Sequence, residues 1–78
     1  MDNSQRKKQF LQLGLTISYY RMLKGLTQGE LARAVGVSQT HISNIEAPRM
    51  KLSVSLDKLF DIADVLNVPV AKLFEFRE

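Results

Sequence analysis

The 78-residue chain has no cysteine, which excludes a disulfide framework and any cysteine-ligated zinc or iron–sulfur site. It has a single histidine, His41, and four glycines, Gly14, Gly25, Gly29 and Gly36, scattered rather than gathered into a phosphate-binding loop. Asp57, Asp61 and Asp64 repeat at helical spacing, but no further ligand type accompanies them, so they read as a solvated acidic face and no metal is expected. With no nucleophilic cysteine and no pocket-sized architecture to organise serines and aspartates, neither an enzyme nor a cofactor nor a small-molecule substrate is indicated. Apolar runs are far too short to span a bilayer, and no apolar segment follows the charged N-terminus as it would in a secretory signal. The expectation is a soluble cytoplasmic protein with no membrane partner. Prolines are also few: Pro48 and Pro69 are the only two.

The length allows one domain with a modest core, and a chain this short buries a smaller fraction of its surface than a large one, which makes dimerisation plausible. Net charge is only +3. Its distribution is uneven: residues 1–39 carry +4 and residues 40–78 carry −1. Positive potential thus gathers on the N-terminal half, which fits a nucleic-acid face on one side of the molecule and also falls within the scatter of ordinary small domains.

Residues 1–8 are polar, with Arg6-Lys7-Lys8 as their dense feature. They read as a solvated, fraying terminus or as an arm or first helical turn that touches phosphates. A single domain follows over 9–78. Its first helix is expected from about Gln9 to Lys24, with Leu13, Ile17 and Tyr20 at i, i+4 and i+7 facing a core, Phe10 and Leu23 extending the stripe, and Gly25 as the stop. Gly14 inside this helix costs about 1 kcal/mol relative to alanine, for which close packing against another helix is the natural reason.

Two short helices joined by a tight turn occupy residues 27–46. Thr27 and Glu30 form a capping box for the first. Leu31, Ala32 and Val35 make its narrow apolar stripe, Gly36 supplies a positive φ at its end, and Ser38 caps the second helix. On that second helix, Ile42 and Ile45 share one side, while Gln39, Thr40, Ser43 and Asn44 spread over roughly 140° of nearly the opposite side. This outward face bears amides and hydroxyls where Lys and Glu would be usual. Such groups both donate and accept hydrogen bonds, which suits base edges in a DNA major groove. After Glu46, Ala47-Pro48 forces an extended, stiff turn. Ser55 and Asp57 open an amphipathic helix whose stripe is Leu56, Leu59, Phe60, Ile62, Ala63 and Leu66. Asn67 and Pro69 break it. Val70 to Phe74 forms a short last helix, and the apolar segment 70–76, with Val70, Leu73, Phe74 and Phe76, exceeds what so short a helix hides, so part of it is a candidate dimer contact.

Gln28, Leu31-Ala32, Gly36-Val37-Ser38-Gln39, Ile42-Ser43 and Ile45-Glu46, in this order and spacing, resemble the helix-turn-helix pattern of the phage repressor and Cro-like (XRE-like) family, over about Leu13 to Phe74. The resemblance implies an all-α, lambda-repressor-like fold, a compact bundle of about five short helices. It implies an ion pair between Arg21 and Glu46, phosphate contacts from Arg49 and Lys51, and a last helix that pairs with its twofold mate. The family often has a glycine-containing turn where this chain has Ala47-Pro48.

The combined expectation is a sequence-specific double-stranded DNA-binding regulator, a repressor or autoregulator acting as a homodimer on a palindromic operator. Gln39, Thr40, Ser43 and Asn44 are its candidate base contacts. Gln28, Ser38, His41, Arg49 and Lys51 are its candidate phosphate contacts. A restriction-modification controller protein, an antitoxin and a protein-interaction module built on the same fold are the alternatives.

Overall fold

The computed structural model describes residues 3–48 and 54–75. Helix α1 spans Asn3–Leu23, α2 Gln28–Val35, α3 Gln39–Glu46 and α4 Leu56–Leu66, and a 3₁₀ helix covers Val70–Phe74. The bundle thus has four α-helices, and its fifth element is one tight 3₁₀ stretch, with no strand among the described residues.

The first helix starts six residues earlier than the apolar pattern marks, at Asn3 instead of Gln9. Residues 4–9 have no apolar face, but Gln, Arg and Lys are good helix formers and extend the helix as an exposed overhang. Further along α1, Leu13 and Ile17 are buried and Tyr20 packs against the core. Leu23 does not continue the stripe; it is 67% exposed. The chain reverses at Gly25, and Leu26 beyond the turn packs on the core instead.

Three helix ends share one closure. At Gly25, Gly36 and Asn67 the backbone takes a positive φ of 77°, 80° and 59°. In each case the next residue's N–H returns to a carbonyl five residues back: Leu26 to Arg21, Val37 to Ala32 and Val68 to Ala63. These are Schellman closures, and the residue after each left-handed position is an aliphatic that packs on the core. The helix ends therefore contribute to the core as well as stopping the helices.

The core holds Leu13 and Ile17 of α1, Leu31, Ala32 and Val35 of α2, Ile42 and Ile45 of α3, Leu59, Ile62, Ala63 and Leu66 of α4, and Leu73. Two members of the expected α4 stripe are missing from it: Leu56 is 62% and Phe60 46% exposed. They sit roughly 60–100° around the helix from Leu59. Helix α4 packs on α2 and the 3₁₀ helix along the Leu59 side, which leaves that flank outside the contact. The C-terminal segment divides in a similar way. Leu73 is fully buried within one chain, which removes it as a dimer contact, and Val70 packs on the core. Phe74 stays 48% exposed, and Phe76 lies outside the described residues.

Gly14 marks the closest approach in the bundle. A Cβ built there would press on the carbonyl oxygen of Ile45 and come within 2.6 Å of that of Glu46. The end of α3 therefore rests directly on the backbone of α1. Across the same contact, Arg21 Nε donates to Glu46 Oε2 at 2.7 Å and Nη2 to Oε1 at 3.1 Å, while Nη1 donates to the Leu26 carbonyl at 2.7 Å. Gln28 Nε2 adds a bond to Glu46 Oε1 at 3.1 Å. Glu46 is the one buried charged residue among those described, and its side chain is 5% exposed against 12% for Arg21.

Two stability predictions follow from this contact. Gly14→Ala should lower unfolding stability by about 3 kcal/mol, because backbone on both sides resists the methyl. On an open helix face the same change would raise stability by about 1 kcal/mol, so the sign in a denaturant titration decides whether the close approach exists. Arg21→Ala should cost about 3 kcal/mol and lower Tm by more than about 10 °C, since it strands a buried carboxylate. The double variant Arg21→Met/Glu46→Leu should recover most of that loss; additive losses in thermal melts would contradict the pairing.

Candidate nucleic-acid interface

The helix-turn-helix is assembled from local signals. Thr27 Oγ1 accepts the Glu30 N–H at 3.0 Å, and the Thr27 N–H donates to Glu30 Oε1 at 2.9 Å, closing the capping box of α2. The Thr27 backbone bond, with its hydroxyl second, holds the Glu30 carboxyl below its ordinary pKa. At the far end, Gly36 closes α2, and Lys58 reaches over from α4 so that its Nζ donates to the Val35 carbonyl at 3.0 Å. Ser38 Oγ then accepts the His41 N–H at 3.1 Å and starts α3. Only Gly36, Val37 and Ser38 separate the two helices, so their crossing is set by the turn and by the buried stripes that meet beneath it.

The inward side of α3 carries Ile42, Ile45 and Glu46, all buried. Its outward side exposes Gln39, Thr40 and Asn44, with Ser43 half-buried beside them. These four residues form one uncharged surface of amides and hydroxyls. Gln39, at the first turn, lies against α2: a Cβ built at Gly29 would stand 3.3 Å from its Oε1.

The other candidate contacts distribute differently. Gln28 turns its side-chain nitrogen inward to Glu46, which leaves the first-turn backbone of α2 as the remaining means of phosphate contact at that position. The Ser38 hydroxyl is engaged as the α3 cap, and His41 is half-buried. Arg49 and Lys51 lie outside the described residues. Arg6, Lys7, Lys8, Lys24 and Arg33 are all exposed, and α1 carries the first three on its opening turns.

Two side-chain placements have no sequence signal. Residues 28 and 46 are eighteen apart, and nothing in their spacing indicates that Gln28 serves the ion pair. Lys58 likewise bonds a carbonyl twenty-three residues away. Elsewhere, a cleft of about 140 Å³ lies between Gln12, Leu15, Thr16, Tyr19 and Tyr20 of α1 and Glu75, and it includes none of the outward residues of α3. Among the described residues, no group of His, Cys, Asp or Glu could hold a metal ion, and no helix is long and apolar enough to cross a membrane.

Comparison with known proteins agrees with this geometry. The helix-turn-helix family model HTH_3 matches residues 17–73. An uncharacterized HTH-type transcriptional regulator of Methanocaldococcus jannaschii is 37% identical over 62 residues, covering 80% of this chain and 91% of that protein. Among solved structures, the restriction-modification controller protein C.AhdI of Aeromonas hydrophila superposes with a TM-score of 0.76 at 26% identity, over 83% of this chain and 96% of that one. The N-terminal DNA-binding domain of SinR from Bacillus subtilis superposes with a TM-score of 0.73 at 32% identity, over 85% and 94% of the two chains. With most of its length matched to that family, and with regulators among its relatives, the chain belongs to the helix-turn-helix family of DNA-binding transcriptional regulators.

Proposed function

We propose that the protein acts in the cytoplasm as a homodimeric transcriptional regulator, binding a palindromic operator with α3 of each copy in the major groove. One observation carries the reading: α3 exposes Gln39, Thr40 and Asn44 on a helix whose opposite side is locked into the core. An uncharged, rigidly presented set of donors and acceptors matches the patterns on base edges and adds no net charge of its own to attract phosphates. Gln39 is the principal reader, since its carboxamide can bond adenine through both its nitrogen and its oxygen. Thr40, Ser43 and Asn44 complete the base-facing set. Backbone phosphates are held by the first-turn amides of α2 at Gln28 and by Ser38 and His41 at the start of α3. Arg49 and Lys51 add electrostatic affinity. Two copies bind half-sites about one helical turn apart, joined through the C-terminal apolar segment, with Phe74 and Phe76 as its remaining candidate contacts. Binding itself is the output, with no catalytic step, and the expected consequence is repression.

A second reading, a restriction-modification controller protein that can also activate, is favoured by the likeness to C.AhdI over 96% of that chain. Activation in a promoter–reporter assay with the bound operator would favour this second reading over a simple repressor.

Selection of duplexes from a random DNA library near physiological salt should enrich a palindrome. An enriched single half-site would overturn the dimer, and no enrichment would overturn sequence reading. Gln39→Ala should weaken operator binding by about 1–3 kcal/mol and leave random-sequence affinity unchanged. Equal losses on both DNAs, measured by titration at fixed salt, would remove its role as reader. Binding to either DNA should fall with salt by about one logarithmic unit of slope per phosphate neutralised, and Lys51→Ala should reduce that slope by about one.

A further inference from the structure

We propose that Gly29 is a specificity-determining position, because its missing side chain lets the Gln39 carboxamide seat against the first turn of α2 and so aims it at its base. The inference rests on the reading of α3 as the helix that enters the major groove, and adds to it a residue that acts only through Gln39. A Cβ built on Gly29 would stand 3.3 Å from Gln39 Oε1, 3.8 Å from its Cδ and 3.9 Å from Thr27 Oγ1. The first of these is tighter than ordinary van der Waals contact, and the group it crowds is the tip of a flexible side chain. The Thr27 hydroxyl, by contrast, is far enough away to keep its bond to Glu30.

The consequence follows from what bidentate readout demands. An exposed glutamine at the first position of a helix has three rotatable bonds and many rotamers. Bonding one adenine through both amide atoms requires a single orientation, with the carboxamide in the plane of the base. The bare backbone at Gly29 offers a wall that the carboxamide can lie on, which removes some of those rotamers before DNA arrives. A methyl there pushes the carboxamide off the wall by a few tenths of an ångström and tilts its plane. Meanwhile alanine is a better helix former than glycine, so α2 itself gains. Stability and base preference should therefore move in different directions, which a purely structural glycine would not produce.

The test is DNA selection with the wild-type chain, Gly29→Ala, Gln39→Ala and the double variant, together with thermal melts and titration of random-sequence duplex. Gly29→Ala should melt at the wild-type temperature or above and bind random-sequence DNA unchanged. It should lose about three- to ten-fold of the discrimination at one base pair, the same base pair at which Gln39→Ala loses its preference. In the double variant the Gly29 change should add nothing to the loss from Gln39→Ala. Gly29→Ser, which places a similar volume at the same point, should reproduce the shift. Identical base preferences for wild type and Gly29→Ala would overturn the inference and leave DNA reading by α3 intact. A loss spread evenly over the half-site, or additive losses in the double variant, would overturn it as well. A wild-type chain that selects no sequence would overturn both this inference and the reading beneath it.

Discussion

Everything that α3 presents outward depends on how its inner end is anchored, and that anchor is the Glu46 carboxylate. It ends the helix, where the backbone dipole is already negative, and it is buried. Left alone there, it would be among the costliest groups in the molecule. The Arg21 guanidinium answers with two parallel N–H donors and spends a third on the Leu26 carbonyl, so one side chain joins α1, the turn after α1, and the end of α3. Gln28 brings the beginning of α2 to the same carboxylate. Three helices thus meet at one charged centre, and no buried side-chain polar atom among the described residues lacks a partner. Such a network has low tolerance for slippage, because any shift of α3 relative to α1 opens a hydrogen bond to a buried charge.

Gly14 makes that centre geometrically possible. Arg21 sits seven residues, about two turns, further along α1. A side chain at position 14 would hold the Ile45 and Glu46 backbone away and lift α3 off the helix. The glycine sets the separation and the ion pair sets the register. Apolar burial of Ile17, Ile42 and Ile45 supplies the bulk of the attraction, but burial is non-directional and would accept several crossings. Direction comes from the contacts at positions 14, 21, 28 and 46.

How much of this was legible in the sequence varies with the range of the signal. The capping box at Thr27, the caps at Ser38 and Ser55, the stops at Gly25, Gly36 and Asn67, and the split of α3 into two sides are all local, and the structure has each of them. The start of α1 carries no apolar signal, because periodicity locates the part of a helix that meets a core, and residues 3–8 extend beyond it. Leu23, Leu56 and Phe60 depart from the expected stripes for the opposite reason. Hydrophobicity marks a broad stripe, but the buried width is decided by which elements lie opposite, and those are set by topology. Leu73 shows the same limit, since a short apolar segment reads alike whether it plugs its own core or covers a partner's. At the candidate interface the outward residues of α3 could be read from periodicity alone. The inward turn of Gln28 and the contact between Gly29 and Gln39 could not, because both pair residues on different helices.

The arrangement also separates two tasks that a DNA-binding surface must perform. The charged groups that brace the motif, Arg21 from α1 and Glu46 and Glu30 within it, are engaged with protein and hold shape. The groups facing outward on α3 are uncharged. Exposed cations lie elsewhere, on the opening turns of α1 and at Lys24 and Arg33. Affinity drawn from phosphates is long-ranged, falls with salt and carries no base information, so it tolerates loosely held lysines and arginines. Base discrimination works over one hydrogen-bond length, and it fails when the reading group wanders by an ångström. A chain of this size has a thin stability margin and cannot immobilise every side chain. Here the rigid contacts are concentrated beneath α3, at the ion pair and the Gly14 approach, where immobility has the greatest effect on reading.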